Sequence, residues 1–321
     1  MTTILSRRSF LCAALASTGA GQSALAATTP KPSQTGPVMD WSQRPKGPVM
    51  LAVSIAEQKL TILDDGQPVG RFSVSTGVDA HPTPQGLFTI LIKKRFHRSN
   101  IYDSAPMPFM QRLTWSGVAL HQGHVTGRTA SHGCIRLPAA VAEKLFAYTP
   151  VGTRVIITDK PAAPSEITHP KLFSALPNEL KLASNTETPE LPAAQPAPAY
   201  GHVAMMISAK ERKLFIRQNF MPIFESAVSI EGDAPLGTHL FTAMSVTKDD
   251  GAVRWSHLAM PDASGLAADA RAALERVQLS DEAKREIAAR LAKGTSLIIS
   301  DLGLGRETGR QGASDFIVVT G

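Results

Sequence analysis

The chain has 321 residues, of which 43% are hydrophobic, 19% charged and 6% aromatic, and it carries a formal charge of +6. That length suits roughly two domains of about 150 residues, and the apolar share excludes a mainly disordered chain. Two cysteines exclude a disulfide scaffold, and the mild positive charge suits any anionic partner without selecting nucleic acid.

Residues 1–26 read as an export signal. Arg7-Arg8 precedes a short run of small and apolar residues from Cys12, which ends in Ala24-Leu25-Ala26. A positive pair, a brief apolar stretch and an A-x-A end match a twin-arginine signal with its cleavage site; an ordinary N-terminal helix is the plainer alternative. The run is too short and too rich in Ala, Ser and Gly to span a bilayer, and Ser9-Phe10-Leu11 before Cys12 makes a poor lipidation site. The expected location is the periplasm or cell envelope, with no transmembrane segment in the mature chain. Cleavage after Ala26 removes Arg7, Arg8 and Cys12, lowers the charge to +4 and leaves Cys134 as the one remaining cysteine. In an oxidising compartment such a thiol is either buried and inert or kept for its chemistry.

The next segment, 46–160, reads as a mainly β domain. Met50–Ile55, Lys59–Leu63, Arg71–Ser75, Leu87–Ile92 and Arg154–Thr158 are short apolar runs separated by turn signals such as Asp64-Asp65-Gly66. The clearest helix spans Pro138–Tyr148, with proline suited to a first helical position. This pattern predicts a β sandwich or barrel rather than a doubly wound α/β sheet. Residues 161–199 are dense in Pro and Ala and read as a linker, in which Leu172-Phe173 and Leu180-Lys181-Leu182 can dock.

Residues 200–321 repeat the first domain. Val53-Ser54, Lys59-Leu60, Pro68 and Val74-Ser75 match Ile207-Ser208, Lys213-Leu214, Pro222 and Val228-Ser229 at one constant offset. Pro84-Gln85-Gly86 and Leu87-Phe88-Thr89 are echoed by Pro235-Leu236-Gly237 and Leu240-Phe241-Thr242, and Gly152–Asp159 by Gly294–Asp301. Without gaps, the last pairing sets Arg276 opposite Cys134 and Leu274 opposite His132, so the second copy keeps a scaffold and lacks the chemistry. Leu266–Leu291 reads as helical, and the glycine-rich Asp301–Gly309 as a turn region that lacks the Gly-Lys-Ser/Thr end of a phosphate loop.

The chemistry concentrates in Trp115–Pro138. His121, His124, His132 and Cys134 fall within one short stretch among glycines that let a ligand approach the backbone. A cysteine nucleophile needs a neighbouring group to take its proton or to hold it ionised, usually histidine, and a loop between strand and helix can return either His132, two residues off, or His121, thirteen off. Gly133 frees backbone N–H groups beside Cys134 to face a developing oxyanion, and the helix from Pro138 can add partial positive charge. The rival chemistry is a zinc site made of His121, His124, His132 and Cys134, although no catalytic glutamate or second cysteine lies nearby. A plain loop with hydrogen-bonded histidines and a packed thiol is the third reading.

Ser131-His132-Gly133-Cys134-Ile135-Arg136, preceded by a strand ending in a histidine, resembles the active-site signature of the YkuD-type L,D-transpeptidases. The resemblance runs from roughly Pro48 to Lys160 and includes the Lys59-Leu60 hairpin and the turn at Pro84 and Gly86. It implies a β-sandwich catalytic domain with a short helix after the cysteine loop, acting on peptidoglycan stem peptides without cofactor or metal and inhibited by carbapenems. It makes Cys134 the nucleophile and His121 the base, oriented by the Gln122 carbonyl. His132 and Ser131 then shape the loop, and the N–H groups of His132, Gly133 and Cys134 form the oxyanion hole. Arg136 stabilises the loop or meets a substrate carboxylate. Two departures stand out: a short spacer between His121 and Ser131, and Gln122-Gly123 where His-Gly is common. The choice between His121 and His124 stays open, with the apolar strand Val118–Leu120 favouring His121. Tyr102 and Trp115 are candidate cleft aromatics that packing explains equally well.

The expected activity is an exported transpeptidase that joins a tetrapeptide donor to a diaminopimelate amine acceptor through a thioester. An L,D-carboxypeptidase or wall-linkage hydrolase would use the same acyl-enzyme, and a non-catalytic peptidoglycan-binding protein would use only the scaffold. A nucleic-acid role is disfavoured, since no basic-aromatic stripe appears.

Overall fold

The structure is a computed structural model that describes residues 39–168, 201–247, 253–261, 269–309 and 314–320. The export signal read at 1–26, most of the linker read at 161–199 and the first residues of the helical stretch from Leu266 lie outside the described residues. No helix among the described residues is long and apolar enough to cross a membrane.

Turn chemistry sets the first sheet. β1 (Val49–Ser54) pairs antiparallel with β2 (Lys59–Asp64), and Asp65-Gly66 leads into β3 (Gln67–Ser73). Both turn residues have positive φ, 50° and 77°, the geometry that favours Asp-Gly in a two-residue hairpin loop. β4 (Gly86–Thr89), β9 (Arg154–Thr158) and β18 (Val318–Val319) complete the order β18-β4-β9-β1-β2-β3, with β9 parallel to β1. The run Leu87–Ile92 is not one strand. Ile90 N–H donates to the Thr153 carbonyl while Leu91 N–H donates to that of Arg112, so the chain changes partners and enters another sheet.

That sheet has the order β5 (Ile92–Lys94), β6 (Met110–Arg112), β7 (Ala119–Gln122) and β8 (Ile135–Leu137). After it comes α1 (Ala139–Tyr148), with Pro138 at the N-cap. Leu51, Val53 and Phe88 of the first sheet share a core with Leu120 and Ile135 of the small sheet and with Leu145 of the helix.

A third sheet comprises β10 (Ser165–Thr168), β15 (Val253–Met260), β14 (Thr238–Val246), β17 (Ser296–Ser300), β11 (Val203–Ser208), β12 (Lys213–Gln218), β13 (Met221–Ile230) and β16 (Val277–Leu279), in that order. Its centre has the registers of the first sheet. Ser54 faces Lys59 and Thr158, while Ser208 faces Lys213 and Ser300. Leu87 faces Ile156, and Leu240 faces Ile298.

Two expectations are corrected. Residues 165–168, read as linker, form β10 and pair with β15, because Ile167 packs onto the apolar core of this sheet. The helical stretch up to Leu291 is broken into α2 (Ala270–Arg276) and α3 (Asp281–Arg290) by β16, which the edge of β13 recruits. Val277 and Leu279 are buried there, and pairing plus burial outweighs the helical leaning of the Ala-rich flanks.

The two large sheets face each other. Met50, Ala52 and Ile156 share a core with Ala204, Met206 and Ile298, and Gly36–Gly321 forms one compact unit. Strands also cross over: β18 arrives from the end of the chain to pair with β4, and β10, just after the first domain, joins the other sheet.

Candidate active site

β7 and β8 run parallel, with Leu120 facing Ile135 and His121 facing Arg136. Cys134 therefore precedes β8 at the level of Ala119, and successive side chains alternate across a strand, so Ala119 and His121 share one face. That face opens on a cleft of about 670 Å³ whose lining includes Tyr102, Arg112, His121, His132, Cys134 and Arg136. The pairing thus brings together His121 and Cys134, which sequence spacing left thirteen residues apart.

Cys134 packs against Met107, Met110 and Ala119. Burial pushes its thiol pKa up, against the opposing effect of a backbone hydrogen bond from Ala119 and the charges of Arg136 and Arg112. The S–H donates to the carbonyl of Gly117 at 3.6 Å. His121 is 8% exposed, and its Nδ1 lies 2.7 Å from the Gln122 carbonyl. A carbonyl only accepts, so Nδ1 carries the proton and Nε2 is the free lone pair. Burial pulls the imidazole pKa down, and Arg136 and His97 add to this, while the Gln122 bond opposes it.

Of the two arrangements open to a cysteine and its histidine, the directions of both pKa shifts favour the one in which histidine takes the proton. Both partners are neutral at rest: a thiol that burial keeps protonated, and an imidazole that burial keeps unprotonated. A neutral thiol and a neutral imidazole thus line the same cleft. Iodoacetamide alkylation of Cys134 is accordingly expected to be slow at neutral pH and to rise with a midpoint above the ordinary thiol value. A midpoint below that value would show a preformed thiolate and contradict this arrangement.

The loop before Cys134 is pinned on all sides. Ser131 Oγ donates to the Cys134 carbonyl and accepts from Gly133 N–H at 3.2 Å, while Thr83 Oγ1 donates to the Gly133 carbonyl at 2.9 Å. Gly133 has φ +103°, a conformation side chains rarely adopt, which is why glycine stands there. Its N–H is taken by Ser131, so the oxyanion hole expected from three N–H groups loses that donor at rest. His132 is exposed, and its ring stacks 4.7 Å from Tyr102 and 5.1 Å from His81. Tyr102 thus belongs to the cleft. Trp115 is half-buried, packs on the core behind the small sheet and donates its ring N–H to Ser314 Oγ.

His124 is exposed beyond the end of β7, at the rim of the cleft. Among the described residues no group of three or more His, Cys, Asp or Glu is placed to hold a metal ion. The ion pairs among the described residues do not involve Arg112 or Arg136. Sequence reasoning missed Gly117 and His81. The Thr114–Gly117 turn was a readable signal for the first, and nothing local pointed to the second.

These features, a half-buried thiol just before β8 and an imidazole on β7 lining one cleft, sit within one recognisable segment. Residues 48–157 match the YkuD family. The family is described as the L,D-transpeptidase catalytic domain. The putative L,D-transpeptidase YqjB of Bacillus subtilis (strain 168) is 29% identical over 130 residues, covering 35% of this chain and 73% of that protein. An L,D-transpeptidase structure from Mycobacterium smegmatis is 25% identical over 34% of this chain and 58% of that one, with a TM-score of 0.33. The LD transpeptidase LdtMt1 in complex with imipenem is 25% identical over 34% of this chain and 58% of that one, with a TM-score of 0.32. The chain thus spans less than two thirds of these solved chains. The YkuD segment contains all of β1–β8 and the site residues from His121 to Arg136, and it ends before the repeat begins.

In the repeat, the pairing of Ser229 with Gln278 stands where Ser75 pairs with Arg136. Arg276 follows at the place of Cys134, and its guanidinium donates to the carbonyls of Glu231, Gly232 and Pro235. Leu274, at the place of His132, is buried in the core. A cation tied to backbone carbonyls stands where the first half has its thiol.

Proposed function

We propose that this chain is an exported cysteine L,D-transpeptidase of the cell wall, with 46–160 as its catalytic domain and 200–321 as a second copy without nucleophile. The observation that carries the reading is the convergence of the Cys134 thiol and the free Nε2 of His121 on one cleft. Residues 1–26 would direct the protein to the periplasm or cell envelope.

In the first step Cys134 Sγ attacks the carbonyl at the L-centre of diaminopimelate in a tetrapeptide stem while His121 Nε2 takes the thiol proton. The N–H groups of His132 and Cys134 face the developing oxyanion. The bond to the terminal D-alanine breaks, His121 returns the proton to the departing amine, and a thioester remains. In the second step the amine of another stem attacks the thioester, His121 accepts its proton and passes it to the departing sulfur, and a 3→3 crosslink forms. Arg136 and Arg112, which pair with no carboxylate among the described residues, suit the carboxylates of the stem. LdtMt1 was solved with imipenem, and that β-lactam is the natural probe for acylation of Cys134.

Incubation of the purified protein with tetrapeptide muropeptides tests the reading. Crosslinked dimers are the expected product; tripeptide alone would make it a carboxypeptidase, and binding to sacculi without any product would leave only a wall-binding protein.

A further inference from the structure

The C-terminal stretch takes no part in the chemistry above, yet it reaches the wall of the cleft. Glu307 lies on α4, a single turn at Arg306–Gly309. Its carboxylate accepts hydrogen bonds from two consecutive backbone N–H groups of the YkuD segment: Trp115 at 2.5 Å and Ser116 at 3.3 Å. The Trp115 ring N–H donates to Ser314 Oγ at 3.0 Å, so the indole is tied to the same stretch. The support is firm, because the buried Thr308 exchanges hydrogen bonds with both the N–H and the carbonyl of Ile317 at 2.9 Å.

Trp115 and Ser116 are the central residues of a turn closed by Gly117 N–H to the Thr114 carbonyl at 3.3 Å. Gly117 ends the turn, and its carbonyl receives the Cys134 thiol. It has φ +119°, and a Cβ there would lie 2.9 Å from Ile101 Cδ1, so the position requires glycine. The base of the turn is tied from within, Val118 N–H and Ser116 Oγ both donating to Thr114 Oγ1 at 2.9 and 3.0 Å, but the Trp115 and Ser116 N–H groups at its tip bond outward to Glu307. Two charge-assisted hydrogen bonds from one carboxylate thus hold the part of the turn that its own bonds leave unfixed.

We infer that Glu307 is a positioning residue for the nucleophile: its carboxylate clamps the Trp115–Ser116 backbone and so fixes the Gly117 carbonyl that aims the Cys134 thiol. The inference rests on the proposed role of Cys134 and extends it to a residue far outside residues 48–157. It makes the half of the chain that lacks a thiol a working part of the catalytic unit.

The test compares wild type with Glu307→Ala and Glu307→Gln in the full chain. Three readings are taken: the imipenem acylation rate by intact mass, the pH midpoint of iodoacetamide alkylation, and Tm. Arg112, Arg136, His97, His121, His124 and His132, which surround the cleft, are unchanged in each variant. Glu307→Ala is expected to slow acylation about ten- to a hundredfold, the scale of a slightly misplaced reacting group. It should also move the alkylation midpoint to lower pH, because a carbonyl accepting from the thiol favours the neutral form. Glu307→Gln, which keeps an acceptor oxygen without the charge, should fall between. A Glu307 that only supports the fold lowers Tm and leaves acylation rate and midpoint at wild-type values, and that result overturns the inference. If Glu307→Ala does not fold, Glu307→Gln carries the same two readings. A wild type that is alkylated but never acylated sinks the proposed function, and the alkylation midpoints still decide for or against the clamp.

Discussion

Cys134→Ser is expected to abolish covalent capture of imipenem and to lower turnover of tetrapeptide stems by about a thousandfold or more. The substitution changes one atom in a site whose other parts stay in place. Serine presents its hydroxyl to the same Gly117 carbonyl and His121, but a hydroxyl ionises far less readily than a thiol. His121, a base weakened by burial, is poorly matched to it. His121→Gln should cost two to four orders of magnitude in acylation near neutral pH, about the usual contribution of a positioned base. Part of that loss should return at high pH, where the thiol ionises without help. Intact-mass measurement after imipenem, on wild type and both variants, checks all of this. An adduct that persists in Cys134→Ser would remove the cysteine from the mechanism. A His121→Gln protein with wild-type acylation would pass the base role to His124 or His132.

The loop around Cys134 was legible because its partners are local. Ser131, Gly133 and Cys134 bond to one another within four residues, and a loop of that kind is written in consecutive letters. His121 was legible because an apolar strand ends in it, although its meeting with Cys134 depends on the parallel pairing of β7 and β8. The protonation state was not legible. It follows from burial against Met107 and Met110, and those residues sit in a segment with no periodic pattern. The strands of the small sheet are three or four residues long, too short for alternation to show. Letters matched in the two halves, as in Ser54 with Lys59 and Ser208 with Lys213, fall at the same strand registers, yet nothing in the letters says that the two sheets pack on each other. The contact of Glu307 with Trp115 joins residues 192 positions apart, and no local rule carries that information.

The packing of the two sheets hinges on a buried charge, and the second large effect is expected there. Arg154 on β9 is 3% exposed and Asp315 is fully buried; they pair at 3.2 Å. Arg154 also donates to Ser296 Oγ on β17, to Thr89 Oγ1 on β4 and to the Phe316 carbonyl, so one guanidinium ties both sheets to the C-terminal stretch. Asp315 further meets His202 Nε2 at 2.6 Å and accepts Phe316 N–H at 2.7 Å. Burial alone would raise this carboxyl, but Arg154 and His202 hold it well below the usual carboxylate range. Asp315→Ala leaves the guanidinium buried and unpaired, which costs about 3–5 kcal/mol and takes much of the stability of an ordinary domain. A double variant, Arg154→Met with Asp315→Leu, removes both charges and should recover most of that loss, since apolar packing can replace a buried pair. Urea midpoints of the two singles and the double measure this directly. Additive losses, or a single loss below about 1 kcal/mol, would show that the pair is not coupled. The sign with pH follows from the depressed carboxyl. Its contribution is complete above the unfolded value near 4 and drains away as pH falls below it, so wild type loses stability steeply in acid. The double variant should lack that part of the acid limb, and an identical limb in both proteins would place the acid sensitivity elsewhere.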